Sequence, residues 1–365
     1  MTTHFKICSL LFVVLSWLLP NSSLLDACTG VKLVSQDGSI VHGRTLEFGV
    51  KVELSVAVVP RKFQFTGTTP KGPGLAYKAK YGSVGMMAFG KPALLDGFNE
   101  KGLAVGTFYF PGFAEYPTIT TENQSRALSP IEFPNWILTQ FATIEEVKEN
   151  LSKVLIAPTT IQEWGPTAPP FHYIVFDKSG KCLVIEPIKG QLRTYDNPLG
   201  VFTNSPTFEW HMENLRNYIH LTALNAKPLQ TAGLTFSSFG QGSGMLGMPG
   251  DFTPPSRFVR AAFFSITALP SPTAKECVGQ LFHVLNQFDI PIGVVRAEEN
   301  SVIYFDYTQC ICVRDPQSLK YYFKTADNQT IRMVNLNSFD LDAKSLKQMN
   351  LAQEEEYLDL SAELK

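Results

Sequence analysis

Residues 28–49, CTGVKLVSQDGSIVHGRTLEFG, decide how this chain is read. Two strand-forming runs, TGVKLVS and SIVHGRTLEF, flank Gln36-Asp37-Gly38, whose turn chemistry predicts a β-hairpin. The hairpin opens on Cys28. What precedes it has the form of an export signal: Lys6, the apolar run Ile7–Leu19, Pro20 and the stretch NSSLLDA. The apolar run is shorter than the ~20 residues of a membrane-spanning helix, so a removed signal is the better reading. Cleavage after Ala27 leaves Cys28 first, with a thiol and a free α-amine on one residue. Their ordinary pKa values, about 8.5 and about 7.7–8.0, make proton transfer between them nearly thermoneutral. Such a residue is a self-contained nucleophile and base that needs no separate histidine.

Two other readings of this junction stay open. Leu25 is large for the third position before a signal cut, which admits cleavage elsewhere. LDAC also has the form of a lipoprotein box, in which lipid on the Cys28 sulfur would abolish the nucleophile, although Asp26 suits such a box poorly.

Composition bounds the remainder. A net charge of −2 gives no basic field for nucleic acid. Charged residues are 18% and aromatics 12%, with 27 Phe and 12 Tyr, a balance that suits a β-rich protein with apolar ligand walls. Of six cysteines, Cys182, Cys277, Cys310 and Cys312 remain once the signal and Cys28 are set aside, compatible with two disulfides in any of three pairings. Cys310 and Cys312 lie too close along one strand to pair with each other. With neither CxxC nor HExxH, and with scattered histidines, neither a metal nor a cofactor is expected.

Working outward, KVELSVAVV, VGMMAF and GLAVGTFYF predict further strands, the last after the turn-like Asn99-Glu100-Lys101-Gly102. SPIEFPNWILTQF predicts a helix capped by Ser129 with Pro130 at its first position, and TIEEVKENLSKV carries a capping box, Thr143 with Glu146. FHYIVFD and KCLVIEPI, joined at Lys178-Ser179-Gly180, predict a second hairpin that QLRTYDN continues. FEWHMENLRNYIHLTAL, PPSRFVRAAFFSITAL and SPTAKECVGQLFHVLNQF have helical spacing. SVIYFDYTQC, LKYYFKTA and TIRMVNL return to strands, and acidic LAQEEEYLDLSAELK reads as a solvated tail or surface helix. This alternation of strands and helices fits an α+β fold of two antiparallel sheets stacked face to face between helical layers better than a parallel βαβ fold. Gly242, Gly244 and Gly247 satisfy GxGxxG, but polar SSFGQ precedes them and Met248-Pro249-Gly250 follows, so they form a loop and not a dinucleotide site.

The start CTGVKLVSQDGSIVHGRTLEFG, with TNSPTFEWH and MPGDFTPPSRFVRAAF in that order downstream, resembles the choloylglycine hydrolase family, which contains bile salt hydrolases and penicillin V acylases. The resemblance covers residues 28–340 and implies an N-terminal nucleophile hydrolase, a four-layer αββα sandwich. It implies Cys28 as nucleophile, with Arg44 and Glu47 beside it. The family commonly has Asp at the latter position, and the longer Glu47 is expected to reach the α-amine. It further implies Asn204 and the backbone N–H of Tyr109 as the oxyanion hole, and Arg257 as the arginine completing the polar cluster. Tyr109, where bile salt hydrolases often carry Asn and some penicillin V acylases Tyr, points to apolar or aromatic acyl groups, with Phe108, Phe110 and Phe113 expected as further walls of the site.

By this reading the Cys28 sulfur attacks an amide carbonyl, its proton passes through its own amine to the leaving nitrogen, and water hydrolyses the thioester. The expected substrate is an N-acyl amine: penicillin V, an N-acyl homoserine lactone, or a conjugated bile salt. The competing class is a noncatalytic lipoprotein. The expected organisation is a cleaved signal over 1–27, a catalytic domain over 28–340 and an acidic tail over 341–365. The protein is expected to be periplasmic or secreted and, by the resemblance, a homo-oligomer, dimer or tetramer, with no nucleic-acid partner and no membrane insertion once processed.

Overall fold

The computed structural model describes residues 27–364, apart from positions 300 and 356. The expected signal over 1–27 lies outside the described residues except for Ala27. Two antiparallel sheets form the body. The first runs Cys28–Val34, Ile40–Phe48, Val302–Asp315, Lys320–Thr325, Asn328–Asn335, with Val295–Glu299 paired to the start of the long strand. The second runs Gln191–Asp196, Cys182–Ile188, Phe171–Phe176, Ala104–Tyr109, Leu94–Asn99, Ser83–Ala88, Leu54–Val59, Lys347–Asn350. Helices Pro254–Thr267 and Ala274–Leu285 pack on the first sheet and Phe133–Gln140 on the second. The architecture is the αββα sandwich.

Local chemistry explains the opening hairpin. Gly38 adopts φ 81°, and the Asp37 carboxylate accepts from Ser39 N at 2.9 Å and from the Ser35 hydroxyl at 2.6 Å. Strand Ile40–Phe48 is buried at every position, because it is central in its sheet and covered on both faces. One face meets the other sheet, where Arg44 lies over the Phe108 ring at 4.3 Å and His42 stacks on Phe176 at 4.4 Å. The opposite face meets a helix at Gly43. A Cβ there would stand 2.7 Å from the Cys312 carbonyl and 2.8 Å from Leu285 Cδ1, so only glycine permits this approach.

Several elements differ from the sequence expectation. Helix Phe133–Gln140 begins after Ser129, which sits in the preceding turn; Pro134, lacking an N–H, occupies the first turn instead of Pro130. Thr143 does cap its helix, accepting from Glu146 N at 3.2 Å. The helix expected over FEWHMENLRNYIHLTAL is shorter, Phe208–Asn214 followed by a 3-10 turn to Tyr218. Strand Leu94–Asn99 and the hairpin of Gln64–Thr69 with Gly72–Lys78 were not read from the sequence. Within the segment expected as tail, Lys347–Asn350 pairs with Leu54–Val59 and extends the second sheet, because that edge offers free backbone groups. Cys182, Cys277, Cys310 and Cys312 are free thiols, so the two disulfides compatible with the count are not formed; the Cys310 and Cys312 sulfurs lie 3.3 Å apart in a thiol–thiol hydrogen bond. The GxGxxG segment is a half-buried to exposed loop with a 3-10 turn at Ser243–Met245. Among the described residues no helix is long and apolar enough to cross a membrane.

Candidate active site

Cys28 opens the edge strand of the first sheet, opposite Leu46. Arg44, two residues before Leu46, points toward the second sheet and donates from Nη2 to the Cys28 sulfur at 2.8 Å. Its other bonds, to the Thr107 and Thr45 carbonyls, fix the guanidinium in a buried position. Burial opposes its charge, but Cys28, Asp96, Cys312 and Glu47 outweigh this and hold its pKa above the usual range. A permanent cation against the sulfur favours thiolate.

Arg257, on the second turn of helix Pro254–Thr267, reaches the same residue from the helical layer. It donates to the Cys28 carbonyl at 2.5 Å, to Thr29 Oγ1 at 2.8 Å and to Asn204 Oδ1 at 2.7 Å. The Asn204 oxygen also accepts from Cys28 N at 2.7 Å, and its amide nitrogen donates to the Tyr109 carbonyl at 2.9 Å. His211 secures Asn204 from behind, with Nε2 2.8 Å from the Asn204 carbonyl. Cys28, Arg44, Asn204, Arg257 and the Tyr109 backbone thus form one buried hydrogen-bonded frame. Tyr109 enters it through its carbonyl, which accepts from the Asn204 amide. An Asn amide nitrogen carries two protons, of which the Tyr109 carbonyl uses one.

Glu47 stands differently. Its side chain leaves the strand on the face opposite Arg44, and one carboxylate oxygen accepts from the Thr308 hydroxyl at 2.9 Å while the other is buried without a partner. Burial pushes its pKa up to about 8 against the pull of Arg257. Ala27 is joined to Cys28 in the described chain, and the Ala27 carbonyl accepts from Glu47 N at 3.0 Å.

Beside Cys28 a cavity of about 40 Å³ is walled by Phe48, Phe89, Leu95, Tyr109, Trp164 and Phe171. Trp164 is its hub, with ring centres 5.1 Å from Phe48, 5.6 Å from Tyr109 and 5.2 Å from Phe171. The expected walls Phe108, Phe110 and Phe113 are elsewhere. Phe108 faces Arg44 between the sheets, whereas Phe110 stacks on His172 at 4.1 Å and on Phe113 at 5.4 Å. Side chains alternate along strand Ala104–Tyr109, so with Thr107 and Tyr109 on the cavity side their neighbour Phe108 is turned to the other face, and Phe110 and Phe113 lie beyond the strand's end. Sequence reasoning missed Trp164, Thr308 and His211. The last lay inside the quoted motif TNSPTFEWH, but a lone Trp in a loop and a Thr in a strand carry no signal. Among the described residues no cluster of three or more His, Cys, Asp or Glu is placed to hold a metal.

A buried thiol paired with arginine, framed by an amide and a second arginine beside an apolar cavity, is equipped for acyl transfer from an amide. The family described as linear amide C–N hydrolases, choloylglycine hydrolase family, matches residues 28–349, and the chain belongs to it. It is a hydrolase of linear amide C–N bonds. It is 32% identical to a bile salt hydrolase/transferase of Clostridium perfringens over 88% of this chain and 95% of that protein. It is 26% identical to the penicillin V acylase of Pectobacterium atrosepticum over 82% and 78% of the two chains. Among solved structures, a variant of the conjugated bile acid hydrolase of Clostridium perfringens superposes with TM-score 0.81 at 31% identity, covering 92% of this chain and all of that one. A penicillin V acylase of Agrobacterium tumefaciens, at TM-score 0.73 and 22% identity over 89% and 92% of the chains, shares the fold.

Proposed function

We propose that this chain is exported, is cleaved after Ala27, and acts through Cys28 as an N-terminal nucleophile on N-acyl amides with apolar or aromatic acyl groups. The observation that carries this is the 2.8 Å contact between Arg44 and the Cys28 sulfur at the wall of an aromatic cavity. The thiolate attacks the acyl carbonyl, and Asn204 stabilises the oxyanion with its remaining amide proton, aided by the Tyr109 N–H. Arg257 holds the Cys28 carbonyl and the Asn204 oxygen still while charge moves. The α-amine carries the thiol proton to the leaving nitrogen, and water then attacks the thioester.

The cavity has room for a few waters only, so a flat or slender acyl group opens it with less displacement than a steroid does. Penicillin V and N-acyl homoserine lactones are the favoured substrates. The second reading, bile salt hydrolysis, rests on the relatives that bear that name at 32% identity. Comparing kcat/KM for penicillin V, an acyl homoserine lactone and glycocholate decides between them, with the acylase reading abandoned if glycocholate leads by about tenfold. Intact mass and Cys28→Ala test the nucleophile: a chain starting at Cys28 with a free thiol is expected, and turnover surviving in the alanine variant removes Cys28 from the chemistry. The protein is proposed to be periplasmic or secreted, and homo-oligomeric. Exposed Leu229, Leu234, Phe236 and Phe239 in one projecting segment supply an apolar surface for that assembly.

A further inference from the structure

Behind the nucleophile, strand Val302–Asp315 brings a second carboxylate to Glu47. Thr308 lies directly across from Glu47 in the ladder, and Asp306 is two residues away on the same face. Both carboxylates are buried, and the fully buried oxygens Glu47 Oε2 and Asp306 Oδ1 have no close hydrogen-bond partner. Such groups are costly and are retained where the charge or the proton is used. The Thr308 hydroxyl is itself fixed, accepting from Ile290 N at 2.8 Å while meeting Glu47 Oε1 at 2.9 Å. The charged groups acting on Glu47 are Arg257 from the helical layer, Asp306 from the neighbouring strand and, from the opposite face of its own strand, Arg44.

We propose that Thr308 and Asp306 are positioning residues for the amide hydrolysis, holding Glu47 as the acceptor of the proton that the Cys28 α-ammonium gives up. This rests on the reading of Cys28 as the mature N-terminus. When the bond to Ala27 is cut, the new ammonium stands beside the place of the Ala27 carbonyl, which Glu47 N holds at 3.0 Å. A proton then leaves Cys28 nitrogen for a Glu47 carboxylate oxygen. The ammonium becomes a free amine, the carboxylate a carboxylic acid, and no bond between heavy atoms changes. The match is thermodynamic: Glu47 near 8 meets an α-amine whose ordinary value is about 7.7–8.0. The two neighbours act with opposite sign. The Thr308 hydroxyl, together with that of Thr45, favours the Glu47 carboxylate, and the charge of Asp306, whose own pKa burial raises to about 7, disfavours it.

The test uses opposite shifts. The acid limb of kcat/KM against pH is recorded with penicillin V and, in parallel, glycocholate, on the mature protein and on Thr308→Val, Thr308→Ser and Asp306→Asn. Losing the hydroxyl raises the Glu47 pKa, so Thr308→Val moves the limb up by about half a pH unit or more, and Thr308→Ser restores it. Losing the Asp306 charge moves it down by a similar amount. A purely structural role lowers turnover without displacing the limb in two directions. Limbs that stay in place, or move the same way in both variants, overturn the proposal. If Thr308→Val does not fold, Thr308→Ser in place and Asp306→Asn displaced downward still support it, and Asp306→Asn unmoved overturns it. Turnover persisting in Cys28→Ala, or no hydrolysis of either substrate, overturns the nucleophile reading and this inference with it; a dead Cys28→Ala with unmoved limbs overturns this inference alone.

Discussion

The Arg44 guanidinium and the Cys28 sulfur meet at 2.8 Å in a buried pair tied to the second sheet's backbone, since the same guanidinium is anchored on the Thr107 carbonyl. Arg44→Leu removes the cation that favours thiolate, so the thiol pKa should rise and the thiolate fraction near neutral pH should fall by about tenfold or more. Arg44→Lys should lose less. The rate of Cys28 alkylation by iodoacetamide against pH, followed by mass, measures both; equal rates in wild type and Arg44→Leu would show the contact has no electrostatic role.

Asn204 serves two masters, with its oxygen on Cys28 N and Arg257 and its nitrogen on Tyr109. Asn204→Ala is expected to lower kcat by about 10²–10³ with a smaller change in KM, as for a donor used in the transition state. A change confined to KM would make Asn204 a binding residue.

Trp164→Ala should widen acyl selectivity. With the ring that touches Phe48, Tyr109 and Phe171 gone, kcat/KM for glycocholate relative to penicillin V should rise about tenfold or more. An unchanged ratio would place acyl discrimination elsewhere.

Buried histidines set an acid limit on stability. His42 has both ring nitrogens without partners, and burial, then Arg314 and Lys32, hold its pKa well below 6.5. Burial likewise lowers His172, and lowers His211 to about 4. Below the unfolded value of about 6.5 the unfolded chain binds more protons than the folded one, so stability is fully present above that pH and is lost as pH falls toward the folded values. His42→Phe keeps a ring against Phe176 and removes one titration. Its Tm should fall less between about pH 7 and about pH 5 than that of wild type; parallel curves would show that His42 does not contribute.

The sheets and the frame around Cys28 were legible because their signals are local or verbal. Gln36-Asp37-Gly38 marks a turn by its own chemistry, Thr143 and Glu146 mark a helix start, and the segments holding Cys28, Arg44, Asn204 and Arg257 have a distinctive order. What could not be read depends on tertiary placement. Trp164 has four aromatic neighbours drawn from strands and loops scattered between Phe48 and Phe171, and no spacing encodes that. Lys347–Asn350 looked like tail because an edge strand's pairing partner, Leu54–Val59, lies at the far end of the chain. Phe108 and Phe110 carried the right composition for a ligand wall, but Phe108 turns to Arg44 and Phe110 to His172.

Strand Ile40–Phe48 is held between Cys28–Val34 and Val302–Asp315, so the opening hairpin takes its place in the sheet only when a strand from the last fifth of the chain arrives. Contacts this distant in sequence close late and slowly. Until residues 204 and 257 have been made, the thiol of Cys28 has neither Asn204 nor Arg257 around it, and behaves as an ordinary cysteine among a growing polypeptide's many amide bonds. Long-range topology acts here as a timer, delaying the reactive sulfur until the chain that carries it is complete.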